Sequence, residues 1–310
     1  MFAMMISPTH FVIMAGKATR PARYIEVMAG KIEQLENPLG LLRVGYAKPL
    51  LEVQAREWSA GTVVDRPQQI VEETPVVIVY NAIPHVVMMA TPTDLEDFVL
   101  GFSVTEELIR APSDLHAVNV VRYGQGIEVQ ATVDEACEAV IASRARRLSG
   151  RTGCGICGSD SIDAVMKSPH SVRAGRPVRP AAIEAALQAL AARQQLNALS
   201  GAVHAAAWVR VDGTVDEVRE DVGRHNALDK LIGALLRRGA DPETGFVLVT
   251  SRASFEMVQK AAVFGAPLLA AISGPTGLAV RVAEQSGMTL VGFARGDRLT
   301  IYTHPGRVST

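Results

Sequence analysis

The chain has 310 residues, of which 48% are hydrophobic and 20% are charged, and its formal net charge at pH 7 is −1. This composition is typical of a globular protein with one large or two modest domains. The near-neutral charge gives no indication of nucleic acid or a membrane as a general partner. Three cysteines do not make a secreted disulfide framework, and they favour a reducing, cytoplasmic location. The apolar start of the chain is a poor match to a signal peptide, and no stretch is long and apolar enough to span a bilayer.

The first half of the chain predicts little regular structure before residue 66. Residues 1–65 have weak periodicity and are predicted to form an irregular N-terminal extension. Residues 66–142 are predicted to form a small α+β subdomain. Val-rich stretches at 74–83 and 85–91 predict two strands joined by a turn near Pro84, and 91–109 predicts a helix. The stretches AVNVVRY and GIEVQATV predict a further strand pair around the turn at 124–126.

Residues 143–176 differ in character, since they are rich in glycine, serine and arginine, and they are predicted to form a mobile loop. Residues 177–310 are predicted to form an α/β domain. A helix opens at Pro180, a strand hairpin surrounds Asp212-Gly213, and strands and helices then alternate to the end of the chain. This alternation predicts parallel strands with right-handed crossovers.

The predicted loop contains the sequence RTGCGICGSDS, in which Cys154 and Cys157 form a Cys-x-x-Cys pair. A structural zinc site needs four ligands, so this single pair would have to meet a second pair across a dimer axis. A thioredoxin-like redox site follows a strand, and no strand is predicted here. Sulfur carriage needs an accessible thiolate, and the flanking glycines together with Arg151 favour one. The residues favour sulfur carriage and leave the other two chemistries open.

Three turns of the predicted α/β domain carry residue types that bind anions. Each follows a strand and precedes a helix, where free N–H groups of the helix start attract phosphate. The turns are EDVGRHNALDK with Arg224 and His225, TSRASFEMVQK with Ser251 and Arg252, and SGPTGLAV. A fourth stretch, FARGDRLTIYTHPGR, places arginines on either side of a glycine near the last strands. The sequence therefore predicts a phosphate-bearing ligand.

Five stretches taken together resemble the FdhD family, the formate dehydrogenase accessory sulfurtransferases. They are TGCGICG, EDVGRHNALDKLIG, TSRASFEMVQKA, GFARGDRLTIYTHPGR and the N-terminal block YNAIPHVVMMATPTDLEDFVLGFSVTEELI. Any one of these motifs is weak, whereas five in order are specific. The resemblance runs from about residue 70 to residue 308, and residues 1–65 lie largely outside it.

The resemblance implies a sulfurtransferase that accepts sulfur from a cysteine desulfurase as a cysteine persulfide. The sulfur then passes to the molybdenum of a bis-molybdopterin guanine dinucleotide cofactor, which the protein binds as the sulfur acceptor and which is inserted into the formate dehydrogenase apoprotein. The resemblance implies that the protein has no catalytic metal of its own. The family also implies a homodimer and a main domain similar in fold to cytidine deaminase.

The resemblance places the persulfide on Cys154, with Cys157 as its partner, and maps the cofactor-contacting stretch onto Phe293, Ala294, Arg295, Gly296, Asp297 and Arg298. The physics of helix starts adds Arg224, His225, Ser251 and Arg252 to the predicted pocket. The main alternative is a cofactor-binding chaperone that has a dimer-bridging zinc site and transfers no sulfur. A nucleotide hydrolase of deaminase-like fold is disfavoured, because the chain has no His-x-Glu sequence.

Overall fold

The computed structural model describes residues 47–123, 126–148 and 169–309. In this part of the chain the fold is a mixed α/β arrangement of a two-stranded ribbon, a four-stranded sheet and a six-stranded sheet with their helices. The predicted α/β class is therefore confirmed at this level, whereas the likeness to cytidine deaminase stays a prediction.

The ribbon consists of β1 (Leu50–Ser59) and β2 (Thr62–Val71), which pair antiparallel along their full length. The prediction of irregular structure is wrong for residues 50–65. The turn explains how the hairpin closes, since Ala60 and Gly61 both have positive φ, as a two-residue hairpin turn requires. Most ribbon side chains are exposed, so the sequence lacks the strong apolar alternation that marks a half-buried strand.

The four-stranded sheet has the order β4-β3-β6-β5, and its strands are β3 (Thr74–Tyr80), β4 (Ile83–Ala90), β5 (Leu115–Tyr123) and β6 (Gly126–Val133). The strands predicted at 74–83 and 85–91 are confirmed, but their turn is at Asn81 and Ala82, which both have positive φ, rather than near Pro84. One face of this sheet packs on α1 (Leu95–Thr105) and α2 (Glu135–Leu148).

The six-stranded sheet has the order β12-β11-β10-β9-β7-β8. Its strands are β7 (His204–Arg210), β8 (Val215–Asp221), β9 (Gly245–Val249), β10 (Leu268–Ala271), β11 (Thr289–Arg295) and β12 (Arg298–Ile301). The predicted parallel arrangement is confirmed for β9, β10 and β11. Strand β7 runs antiparallel to both β8 and β9, so β8 points in the same direction as β9, β10 and β11.

Helices cover both faces of the six-stranded sheet. On one face lie α5 (Arg224–Arg237), α6 (Phe255–Phe264) and α7 (Gly277–Ser286), which enclose a core around Trp208, Leu231 and Met257. On the other face α3 (Pro180–Arg193) packs over Phe246 and Leu268, and the short helix α4 (Gln195–Ser200) follows it. The inner strands β9 and β10 are fully apolar, as is usual for strands that are buried on both faces.

Helices α1 and α5 join the two sheets at an unusually close crossing. A methyl group at Gly101 would lie 1.8 Å from the Asp229 carbonyl oxygen, and one at Gly233 would lie 1.8 Å from the Asp97 carbonyl oxygen. Only glycine permits the two backbones to approach in this way. The α1–α5 contact therefore depends on these two positions.

Two buried ion pairs lie beside this crossing. Lys230 Nζ is 2.6 Å from Asp221 Oδ2, and both side chains are fully buried. Lys260 Nζ contacts Asp229 at 2.9 Å and Glu106 at 2.8 Å. Burial alone would lower the pKa of Lys260, but the adjacent carboxylates of Asp229 and Glu106 raise it above its usual value. Lys260 is therefore held charged between elements of the two sheets.

The structure describes the two ends of the segment predicted as a mobile loop at 143–176, and residues 149–168 lie outside the described residues. Residues 143–148 continue α2, because the helix extends to Leu148. Residues 169–178 contain no helix and only an isolated bridge at Val178. Backbone hydrogen bonds nevertheless hold them along the amino ends of strands in the six-stranded sheet. Val172 N–H donates to the Ser286 carbonyl just ahead of β11, and Arg176 N–H donates to the Glu243 carbonyl just ahead of β9. This part of the predicted mobile loop is therefore packed against the six-stranded sheet.

Candidate functional site

The carboxyl ends of β8, β9, β10 and β11 meet at one edge of the six-stranded sheet, which we call the carboxyl edge. These four strands run in the same direction, so the turns that follow them lie side by side. Backbone contacts hold the turns together: Ala253 pairs with Pro275, Thr276 N–H donates to the Ala253 carbonyl, and Phe293 N–H donates to the Ser273 carbonyl. The predicted pocket residues Arg224, His225, Ser251, Arg252 and 293–298 all lie at this edge.

Helix α5 begins at the carboxyl edge with Arg224 and His225 in its first turn and Gly223 as its N-cap. Gly223 has no side chain to cap the helix, and the buried Nε of Arg224 has no hydrogen-bond partner among the described residues. A buried guanidinium nitrogen beside a helix start is an arrangement that attracts an anion.

Helix α6 begins at the neighbouring turn. Ser254 occupies the N-cap position, but within the described residues its side chain makes no capping hydrogen bond to the helix start. Ser251 is buried and its Oγ donates to the Arg252 carbonyl, whereas the Arg252 side chain is exposed. Glu256, in the first turn of α6, has Oε2 3.0 Å from His225 Nε2. The site therefore contains a carboxylate–imidazole contact between two helix starts, and the sequence did not predict Glu256.

His204 is a second residue that the sequence did not predict. It opens β7, and because β7 runs opposite to its neighbours, this first residue lies at the carboxyl edge. Burial lowers the pKa of His204, and the positive charge of Arg224 lowers it further, against the opposing effect of Asp221. His204 is therefore close enough to Arg224 to interact electrostatically with it. Only the strand pairing reveals this placement.

The end of β11 and the turn to β12 supply the predicted cofactor-contacting stretch. Phe293 has positive φ and its side chain is 44% exposed, while its ring lies directly over Gly274. Ala294 is fully buried in the core, so its side chain is not accessible to a ligand. The side chains of Arg295 and Arg298 are exposed around the turn at Gly296 and Asp297, and Arg295 Nε donates to the Ile272 carbonyl at 2.9 Å.

Beside this turn is a cleft of about 370 Å³. Its lining residues are Pro180, Glu184 and Leu187 of α3 and Gly296, Asp297, Arg298 and Leu299 of the β11–β12 turn. The predicted stretch thus borders both the carboxyl edge and a cleft beneath α3.

Other charged residues of the EDVGRHNALDK motif have structural contacts. Asp221 accepts hydrogen bonds from the backbone N–H groups of Thr91 and Gly223 and from the Asn226 side chain. Lys230 donates to the Thr91 carbonyl. The motif therefore joins the two sheets through one set of residues and presents Arg224 and His225 at the carboxyl edge through another.

The predicted sulfur-carrying pair, Cys154 and Cys157, lies outside the described residues, but the two chain segments that flank it are described. Arg144, near the end of α2, donates to the Glu106 carbonyl and lies 3.9 Å from the Glu107 carboxylate. His170, where the described chain resumes, is 2.9 Å from the same carboxylate. Both flanks therefore meet at Glu107. Cys137 is buried in the core of the four-stranded sheet.

Within the described ranges, no group of three or more His, Cys, Asp and Glu side chains is arranged to hold a metal ion. None of the described helices is both long and apolar enough to cross a membrane.

The comparison with protein-family models decides which family this is, because the FdhD/NarQ family model matches residues 71–309. The chain belongs to the FdhD/NarQ family. Curated relatives agree with this assignment. A protein of Cupriavidus necator named Sulfur carrier protein FdhD is 50% identical over 251 residues, which are 81% of this chain and 87% of the relative. A protein of the same name from Bordetella petrii is 47% identical over 259 residues, which are 84% of this chain and 92% of the relative.

A solved structure supports the fold. The crystal structure of a putative formate dehydrogenase accessory protein from Desulfotalea psychrophila matches with a TM-score of 0.68 and 23% identity, over 84% of this chain and all of that one. The family resemblance predicted from the sequence is thus confirmed. The FdhD/NarQ model includes the Cys-x-x-Cys pair and the carboxyl edge, and it begins at the last residue of the β1–β2 ribbon.

Proposed function

We propose that this chain is a sulfurtransferase that carries sulfur as a persulfide on Cys154. In this proposal the sulfur comes from a cysteine desulfurase and goes to a bis-molybdopterin guanine dinucleotide cofactor destined for formate dehydrogenase. The names of relatives about 50% identical support the carrier role. The observation that carries the acceptor half of the proposal is the convergence of two helix starts and Arg224 at the carboxyl edge.

The carboxyl edge suits the phosphate groups of a dinucleotide. The starts of α5 and α6 offer backbone N–H groups and a positive helix dipole, and Arg224 and Arg252 add charge. The exposed ring of Phe293 offers a face on which a base stacks, and Arg295 and Arg298 lie beside it. In this arrangement the acceptor is a substrate held by its nucleotide ends.

The first chemical step that we propose is a thiol–persulfide exchange. The Cys154 thiolate attacks the outer sulfur of the desulfurase persulfide, the S–S bond breaks, and the desulfurase cysteine leaves as a thiolate. The product is a persulfide on Cys154, with no net oxidation or reduction.

Release of the sulfur at the acceptor uses the second cysteine. The Cys157 thiolate attacks the inner sulfur of the Cys154 persulfide, which forms a Cys154–Cys157 disulfide and releases sulfide to the metal of the acceptor. The two electrons that convert sulfane sulfur to sulfide come from the two cysteine thiols. A cellular dithiol reductant then restores the pair.

The chain that precedes the pair limits how far Cys154 can lie from the described body. Helix α2 ends at Leu148, so six residues connect it to Cys154 and span at most about 21 Å. Strands of five to seven residues are roughly 17–24 Å long, so this reach is comparable to the length of one strand of the six-stranded sheet.

Mass spectrometry after incubation with a desulfurase and cysteine tests the donor half. We expect a gain of one sulfur that maps to Cys154 and is absent from Cys154→Ala, whereas Cys137→Ala is the matched control because that thiol is buried. A gain of sulfur elsewhere, or none, contradicts the proposal. Stoichiometric zinc in protein purified without chelator, together with no gain of sulfur, would favour the zinc-bridged chaperone instead.

Equilibrium binding of guanosine diphosphate tests the acceptor half independently. We expect Arg224→Gln to weaken binding about tenfold, because one charge-assisted contact to phosphate is lost. Arg210→Gln is the control, since Arg210 is an exposed arginine at the other end of β7, paired with Asp216. Cys154→Ala should bind the nucleotide as the wild type does. Equal binding by the Arg224 and Arg210 variants would remove the carboxyl edge as the nucleotide site.

A further inference from the structure

His225 and Glu256 meet at the carboxyl edge, one from the first turn of α5 and the other from the first turn of α6. His225 Nε2 is buried and lies 3.0 Å from Glu256 Oε2, although the two groups are not aligned for a hydrogen bond. The two side chains are 22% and 18% exposed. The pair is therefore enclosed where the imidazole and the carboxylate meet and accessible elsewhere.

The carboxylate decides which nitrogen of the imidazole carries the proton. A bare Nε2 would place its lone pair 3.0 Å from a carboxylate oxygen, and two acceptors at that distance repel each other. The single proton of a neutral His225 ring is therefore on Nε2. Nδ1 then has a lone pair, which accepts hydrogen bonds but cannot donate one to a phosphate oxygen. His225 needs a second proton before it can donate to an anion from Nδ1.

Other charged groups approach His225 from α5, β7 and β8 within the described residues. Arg224 precedes it on α5, and His204 on β7 interacts electrostatically with Arg224, Asp221 and His225. Asp221 on β8 is already compensated by a buried lysine. Burial lowers the pKa of His204, and Arg224 lowers it further. Of the two histidines, the one that faces the Glu256 carboxylate is therefore the better position for an added proton.

The start of α6 beside this pair is suited to an anion except for one charge. Ser254, at the N-cap, makes no capping hydrogen bond within the described residues, and its hydroxyl instead lies 3.4 Å from the Glu256 carboxylate. The first N–H groups of the helix are thus left to a ligand. Glu256 adds a negative charge to the same turn, which repels phosphate. A second proton on His225 compensates this charge.

We propose that His225 binds the phosphate of the nucleotide in its imidazolium form, so that binding takes up a proton from solution, and that Glu256 is the positioning residue that fixes the tautomer. This inference rests on the proposed function, because the ligand is the nucleotide of the proposed acceptor. Linkage is reciprocal, so the affinity should fall as the pH rises, and release of the nucleotide returns the proton.

Calorimetric titration with guanosine diphosphate at pH 7, in two buffers of different ionisation enthalpy, measures the protons exchanged on binding. The phosphate of the ligand also exchanges protons, so the informative quantity is the difference between the wild type and His225→Gln. We expect the wild type to take up about 0.3–1 proton more per bound nucleotide. The ratio of its affinities at pH 6 and pH 8 should exceed that of the variant by at least about threefold.

Two further variants separate this role from general effects. His116 is a matched control, because it is another imidazole beside a carboxylate, 2.7 Å from Asp134, but lies on the four-stranded sheet. We expect His116→Gln to leave the proton count unchanged. Glu256→Gln removes the carboxylate that fixes the tautomer, so Nδ1 can carry the only proton of the ring. This variant should bind more tightly and take up no more than about half as many protons.

The outcomes distinguish this inference from the proposed function. A nucleotide that does not bind to the wild type contradicts the proposed function. Binding with the same proton count in the wild type and His225→Gln contradicts the proton-linked role alone, and so does a count that is lost in His204→Gln instead. If His225→Gln no longer binds, the comparison is made with Glu256→Gln, for which an unchanged proton count overturns the assignment.

Discussion

Gly101 on α1 and Gly233 on α5 face each other's helix across the same crossing, and each lies against a backbone carbonyl of the opposite helix. The two glycines are separated by 132 positions in the sequence, and together they set how closely the two sheets approach. A side chain at either position would separate the helices and disturb the buried ion pairs beside them.

We therefore expect Gly101→Ala to lower the free energy of unfolding by about 3 kcal/mol, the upper end of the usual cost of overpacking, because overpacking against backbone cannot be relieved by a rotamer change. Urea denaturation measures this loss. Gly306→Ala is the control, since no atom lies within 4 Å of a methyl group there and its φ is not positive. A Gly101 variant as stable as the Gly306 variant would contradict the structure of the crossing.

The buried pair of Lys230 and Asp221 gives a second prediction. Removing the lysine leaves Asp221 as an uncompensated buried charge, so Lys230→Met should cost about 3–5 kcal/mol of stability at pH 7. Thermal unfolding at pH 7 measures this loss. A variant that unfolds like the wild type would mean that the pair is hydrated rather than buried.

His85 gives a prediction about pH. Its side chain is 7% exposed and its ring packs against Tyr80 and Phe102, and burial lowers its pKa to about 4, in opposition to Glu106. The unfolded chain, with a histidine pKa of about 6.5, binds more protons between these two values, so stability falls as the pH falls from 6.5 towards 4.

Across that window His85 accounts for a loss on the order of 3 kcal/mol. We expect His85→Phe to lose this component, so that its stability declines less steeply between pH 7 and pH 4.5 than that of the wild type. Urea denaturation at the two pH values measures the difference. Parallel declines in the two proteins would show that His85 is protonated in the folded state.

Glu256 gives a prediction for the carboxyl edge. It is a carboxylate in the first turn of a helix that we propose to bind phosphate, and it lies 3.0 Å from His225. Replacing it removes a negative charge from the site, so Glu256→Gln should tighten binding of guanosine diphosphate several-fold at low salt. Glu284→Gln, on the exposed part of α7, should have no effect. Weaker binding by the Glu256 variant would indicate that the carboxylate contacts the nucleotide directly.

The sequence predicted the parts of this site that depend on local patterns. Arg224, His225, Ser251 and Arg252 follow strands and open helices, and strand direction then brings them to one edge. His204 and Glu256 were missed because their placement depends on the antiparallel entry of β7 and on a contact between two helices. These are long-range relationships that no local pattern contains.

The sequence did not predict the buried ion pair or the β1–β2 ribbon, for a similar reason. Charged residues such as Lys230 and Asp221 are usually exposed, and only their contacts with Thr91, more than 100 positions away in the sequence, explain their burial. The ribbon strands are mostly exposed, so periodicity, which reports burial, gave no signal for them. Cys154 and Cys157 lie outside the described residues, so their role stays a prediction.

The meeting of Arg144 and His170 at Glu107 has a consequence for how the molecule can change. These two contacts hold the described flanks at neighbouring points, so a change in the length of the chain between them need not move either flank. Insertions, epitope tags or a transplanted sequence from a relative should therefore be accommodated between these two anchors without unsettling either sheet.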